Sequence, residues 1–142
     1  MNEIIVGVDR SATSRHAAFK AANFAVSLGK PLHLVMAVSR SKPMSGGSDG
    51  DSFQTDWLTD AEQFLDALSG ELPAKQITRT VSVSDPATAM CEEAQRLQAT
   101  MIVVGNRRVQ GISRVLGAVA TDVARQATCD VYIANTAADP TD

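Results

Sequence analysis

Four short runs of apolar residues constrain this chain more than any other feature. Ile4-Ile5-Val6-Gly7-Val8, Leu32-His33-Leu34-Val35-Met36-Ala37-Val38, Met101-Ile102-Val103-Val104 and Val131-Tyr132-Ile133-Ala134 are nearly continuous in apolar side chains, with no polar residue at alternate positions. A strand with one wet face alternates; one without alternation is covered on both faces, as in the middle of a parallel sheet. Between the runs the period changes to that of a helix. Ala17, Ala18, Ala21, Ala22, Ala25 and Leu28 share one stripe, with Ser11 or Thr13 placed to cap it and Gly29 to end it. Trp57, Ala61, Phe64, Leu65 and Leu68 share another, over Phe53 to Leu68, closed by Gly70 and Pro73. Asp85-Pro86 opens a third helix to about Leu97, with Ala89, Met90, Ala94 and Leu97 inward, and a fourth covers about Val119 to Ala127. Gln76 to Val83 alternates apolar and polar residues, the pattern of a half-exposed edge strand.

Strands alternating with helices predict an α/β fold: an open, mainly parallel five-stranded sheet with helices on both faces, Rossmann-like. The chain's 142 residues suit a single domain, taken as 1–135, with a polar, acidic tail over 136–142. Residues 39–52, rich in Ser, Gly, Pro and Asp, have almost nothing to bury and are expected to form a flexible insertion or lid loop. Thirteen basic against sixteen acidic side chains give a net charge of −3, the wrong sign for gripping nucleic acid. Four Phe, one Trp and one Tyr, scattered along the chain, do not build a base-stacking platform. The apolar runs are strand-sized, and Glu3 and Asp9 interrupt the first nine residues, so a membrane span or a signal peptide is not expected and a cytoplasmic setting is. Cys91 and Cys129 have metal-site spacing with neither each other nor a His pair, and are read as small buried hydrophobes.

In such a sheet ligands lie at the carboxyl ends of central strands, where the winding direction reverses. Those ends are Asp9, Val38, Ser84 and Gly105. The stretch from Gly105 to Gly117 carries Arg107, Arg108, Gly111 and Arg114: glycines allow close approach to a ligand, helix-start amides attract anions, and guanidinium groups bind phosphate oxygens in pairs. A phosphate site and a merely solvated connection both fit that composition. It is not a Walker loop, since Gly-Lys-[Ser/Thr] is missing. Asp9 can hydrogen-bond a nucleotide's base or ribose, or cap the first helix. His16 is expected at the surface or the crevice edge, and His33 as a satisfied core or edge histidine. Ser11, Ser14 and Ser113 lack an adjacent base or a nucleophile elbow, and Glu92-Glu93 and Asp49-Asp51 are read as a helix surface and a floppy loop. No catalytic residue and no metal site emerge; the expectation is a protein that is not an enzyme.

The chain resembles the universal stress proteins of the UspA type over nearly its whole length. The resemblance is carried by Ile-Val-Gly-Val-Asp-Arg-Ser (Ile5 to Ser11), Leu-Val-Met-Ala-Val (Leu34 to Val38), the stretch from Ile102 through Val-Leu-Gly-Ala-Val (Val115 to Val119), and Cys-Asp-Val-Tyr-Ile (Cys129 to Ile133). It implies strand order 3-2-1-4-5, a homodimer paired through the last strand (Val131 to Ala134), and a cytoplasmic stress-response role. It also implies an adenine nucleotide as ligand, ATP or AMP, with or without Mg. On that basis Asp9 with the backbone of Val8 and Val38 would hold adenine and ribose, and Gly105, Gly117, Ala118 and Val119 would surround the phosphates. The family's ATP-binding pattern, G-x2-G-x9-G-[S/T], is met by Gly105 and Gly117 with one residue fewer between them. Arg108 stands at the second glycine and Ala118 at the terminal hydroxyl. Gly111 can supply the missing backbone freedom, while Arg108 either adds charge or fills the phosphate pocket. These departures keep a second reading open, a nucleotide-free dimeric interaction module of the same family.

Overall fold

Every apolar run becomes a strand, and all five strands run the same way. The computed structural model describes residues 2–38, 50–106 and 116–135, the side chains of 50–57 excepted. The elements follow in the order β1 (Ile4–Gly7), α1 (Ala12–Leu28), β2 (Leu32–Val38), α2 (Gly50–Glu71), β3 (Ile77–Val83), α3 (Pro86–Leu97), β4 (Met101–Asn106), α4 (Ala118–Gln126) and β5 (Asp130–Asn135). The sheet order is β3-β2-β1-β4-β5, all pairs parallel, as expected. β1 lies at the centre, with Ile5 opposite His33 on one side and Ile102 on the other.

Two cores flank the sheet, because successive side chains point to opposite faces. Ile4, Val6 and Val8 pack with Leu32, Leu34 and Met36 beneath the alanine stripe of α1 and beneath Ala61, Leu65 and Leu68 of α2. Ile5, Val35, Ile102 and Val104 face Ala87, Met90 and Ala94 of α3 and Ala120 and Val123 of α4. The alanines let α1 sit close to the sheet. Its ends are closed as the sequence indicated. Ser11 Oγ accepts the Ser14 amide at 3.1 Å, and Gly29, at φ 65°, takes the left-handed conformation that glycine adopts without a Cβ clash. Asp85 likewise caps α3, accepting from the Thr88 amide at 3.1 Å, with Pro86 in the first turn.

Several expectations need correction. α2 begins at Gly50, inside the expected insertion, and runs through Gly70 to Glu71. Its last turn is held by the Ser69 hydroxyl donating to Leu65 O (2.8 Å) and by Arg15 on α1, which donates to Glu71 (3.1 Å). Residues 39–49 of the insertion, the Trp57 side chain and the tail 136–142 lie outside the described residues. β4 continues through Gly105 and Asn106, expected in a loop, because β5 extends to pair Gly105 with Ala134 and Asn106 with Asn135. Leu28, the last residue of α1, is 48% exposed, whereas His16 is buried rather than at the surface. Cys91 and Cys129 are half-buried at the margin of the second core, and burial pushes both thiols up from their ordinary range.

Glu93, expected on a helix surface, instead turns onto the sheet. Its side chain is 13% exposed and that of His33 only 3%, and Glu93 Oε1 lies 2.9 Å from His33 Nε2. Thr80 donates its hydroxyl to the same oxygen at 2.7 Å, and Arg96 grips the carboxylate through two nitrogens, each at 2.8 Å. A carboxylate only accepts, so His33 donates to it through Nε2, while Nδ1 lies 2.6 Å from the Thr78 hydroxyl oxygen. The Arg96 guanidinium, helped by Thr80 and His33 and opposed by burial, holds the Glu93 carboxyl down at about 2. A carboxyl depressed in the folded state stabilises above its unfolded value of 4.5, and that contribution disappears as pH falls towards 2. Glu93→Gln is expected to cost about 1–3 kcal/mol at pH 7, with the gap to the parent narrowing as pH drops through this window. Urea unfolding across pH 2.5–7 checks both the size and the direction.

Candidate functional site

The chain leaves β1 to form α1 and β2 on one side, then returns to place β4 on the other, so the winding reverses beside β1. Backbones diverge at that point and leave a crevice at the strands' carboxyl ends. Its volume is about 340 Å³, within the range of small-molecule sites. The lining changes character across the sheet. At the β2 and α3 end it is apolar: Gly7, Val35, Ala37, Pro86 and Met90. Beside β1 stand Asp9, Ser11, Thr13 and Ser14. At the β4 end it is formed by Val104, Gly105 and the first turn of α4, from Gly117 to Ala120, where helix-start amides stand among small and apolar side chains. From β2 to β4 is two strand spacings, about 10 Å.

Asp9 is built into the start of α1. Its Oδ1 accepts the Ser11 amide at 2.7 Å, and its own amide donates to Ser14 Oγ at 2.7 Å. Asp9 thus braces the turn whose cap is Ser11, and one carboxylate oxygen suffices for that. Asp9 is exposed at the crevice. Capping and ligand contact, weighed as alternatives from sequence, are compatible in space.

The phosphate-seeking end depends on a residue to which the sequence reading assigned no role. Asn106 Oδ1 accepts the Gly117 amide at 2.7 Å, joining the two ends of the glycine- and arginine-containing stretch. Gly117 O then accepts from the Thr121 amide (3.0 Å) and from the Thr121 hydroxyl (2.9 Å), which sets α4 on its course. The cap residue Gly117 offers no side-chain bond, and the first turn of α4 contains no acid. Amides at the start of a helix lack partners four residues back, and the helix dipole adds to their positive field. This end of the crevice is thus suited to an anion.

Of the site residues expected from sequence, Val8, Asp9, Gly105, Gly117, Ala118 and Val119 line the crevice together. Val38, expected to contribute its backbone, is not among the lining residues, where β2 is represented by Val35 and Ala37. Arg107, Arg108 and Gly111 lie outside the described residues. Gly7, Met90, Pro86 and Asn106 were missed. Met90 was legible as an inward residue of α3, but what it faces is decided by packing, and the eleven-residue gap from Asn106 to Gly117 matches no local pattern. Among the described residues no group of three or more His, Cys, Asp or Glu is arranged to hold a metal ion. No helix among them is long and apolar enough to cross a membrane.

Residues 1–135 match the Universal stress protein family. Universal stress protein Rv2624c of Mycobacterium tuberculosis is 33% identical over 137 residues, covering 94% of this chain and 48% of that protein. The chain spans about half the length of the curated relatives it matches. A universal stress protein crystallised in complex with cAMP is 27% identical, with a TM-score of 0.65 over 96% of this chain and 98% of that one. The Archaeoglobus fulgidus universal stress protein in complex with dAMP shares the fold at 22% identity, with a TM-score of 0.64 over 94% and 97%. With the sheet order, the crevice at the winding reversal and a family match over 135 residues in agreement, this chain belongs to the universal stress protein family.

Proposed function

We propose that this chain is a cytoplasmic stress-response protein that binds an adenine nucleotide across the β2–β1–β4 strand ends, without turning it over, and acts as a homodimer. The observation that carries this reading is the order of the lining: an apolar end, a carboxylate beside it, and helix-start amides about 10 Å away. A nucleotide has that same order of parts. The base enters between Val35, Ala37 and Met90, Asp9 accepts from the ribose or base, and the phosphate meets the amides of Ala118 and Val119. The similar protein bound to cAMP supports an adenine ligand. ATP and AMP are both candidates, and Mg is the less supported part. Asp9 is the one carboxylate among the described lining residues and Ala118 has no hydroxyl, whereas Mg²⁺ is held by carboxylates together with substrate phosphates. The same lining favours binding over hydrolysis: among the described residues Asp9 is its single titratable side chain, and its Oδ1 is committed to the α1 turn.

The dimer reading rests on β5, an edge strand whose Val131 and Ile133 are half-buried and whose Tyr132 is 38% exposed. An apolar edge of this kind is a template for pairing with another chain. Light scattering is expected to give twice the chain mass for the parent and a shift towards monomer for Tyr132→Lys. A monomeric parent would remove this part of the proposal.

Thermal unfolding with ATP, ADP, AMP and cAMP tests the ligand. A nucleotide at a hundred times its dissociation constant adds about 2.7 kcal/mol to the folded state. Asp9→Asn, which keeps an oxygen for the Ser11 amide, is expected to lose most of that gain while melting near the parent when unliganded. Asn106→Ala frees the Gly117 amide and is expected to weaken nucleotides through their phosphate, leaving adenosine unaffected. No stabilisation by any of the four would favour the nucleotide-free interaction module that Ala118 and Arg108 suggest.

A further inference from the structure

Gly7 and Met90 meet at the floor of the crevice's apolar end. A Cβ built on Gly7 would stand 2.6 Å from Met90 Sδ and 2.8 Å from its terminal methyl carbon, closer than real contacts allow. Among the described glycines only Gly29 has a positive φ, so Gly7 serves space and not backbone conformation. Met90 is 2% exposed, packed in the second core, and its thioether end lies over the Gly7 Cα. Met90 shares that core with Ile5, Val35 and Ala94. Gly7 and Met90 also both line the crevice. A close-packed interior does not make room for a displaced side chain, so a methionine pushed off Gly7 has the crevice to move into.

We infer that the Gly7–Met90 pair sets the depth of the ring-binding end and is the determinant that admits a planar purine there, the thioether sulfur presenting itself to the ring. The inference rests on the nucleotide reading above and adds which residues select the base. Sulfur–aromatic contacts contribute about 0.3–1.5 kcal/mol, so Met90→Ala is expected to weaken AMP by up to about tenfold. Gly7→Ala acts differently: it removes no atom of Met90 but drives that side chain into the ring's position.

Isothermal titration of AMP into the parent, Gly7→Ala, Met90→Ala and the double variant tests this. The expected result is loss of at least about tenfold in affinity for Gly7→Ala, and an affinity for the double variant equal to that of Met90→Ala. Relief of the Gly7→Ala defect by removing the methionine identifies obstruction as its cause. If Gly7→Ala binds AMP as the parent does, or if the double variant stays weaker than Met90→Ala, the inference is overturned while the nucleotide reading stands. If the parent itself binds none of ATP, ADP, AMP and cAMP, both fall together. Should Gly7→Ala alone fail to fold, the comparison of Met90→Ala with the double variant decides in the same way, equal affinity supporting the inference and a loss overturning it.

Discussion

Burial of β1 on both faces is the constraint from which the rest of the structure follows. Ile4, Val6 and Val8 on one side and Ile5 on the other have no access to water, so helices must cover both faces of the sheet. Parallel strands then return through those helices, and each helix begins where a strand has ended. The starts of α1, α3 and α4 are thereby gathered at one edge of the sheet, and all three contribute to the crevice lining. A site rich in helix-start amides is a consequence of how the hydrophobic core is closed, before any residue is chosen for a ligand.

What individual residues add is the difference between one end of that crevice and the other. Asp9 turns the chain into α1 and leaves carboxylate oxygen towards the opening. Asn106 closes the long connection after β4 by a single side-chain bond to Gly117, so α4 starts at the crevice without a capping side chain of its own. Small residues, Gly7 and Ala37, keep the opposite end open, and Met90 supplies its floor. His33, Glu93 and Thr80 form a polar network that the exposed Arg96 closes from outside; it ties α3 to β2 and β3 and satisfies the buried His33, which would otherwise be costly to bury. One helix is therefore fixed by polar contacts near its end and offers an adaptable thioether near its beginning.

Much of the fold was legible because its signals are local. Unbroken apolar runs, the alanine stripe, Gly29 and the Asp85-Pro86 start each act within a few residues of chain, and each appears where expected. Boundaries that depend on partners were not legible. Gly105 and Asn106 are strand because β5 continues beside them, and α2 passes through Gly70 to Glu71, which meets Arg15 of another helix. Glu93 looked like surface for the same reason: its partner His33 is sixty residues away in the chain. Within the site, strand-end position singled out Asp9 and Gly105, and the family resemblance pointed to Gly117, Ala118 and Val119, all of which line the crevice, while on β2 the lining residues are Val35 and Ala37.

By itself the sequence determined the fold class, the strand and helix order, the burial of β1 and the family, since hydrophobic period and turn chemistry are properties of neighbouring residues. Tertiary structure alone decided which face each strand end presents, that Ala37 and not Val38 reaches the crevice, that Asn106 clasps Gly117, and that Met90 rests on Gly7. These are contacts between residues 11 to 83 positions apart in the chain or products of side-chain alternation at a strand's end, and they exist only once the sheet has set the distances.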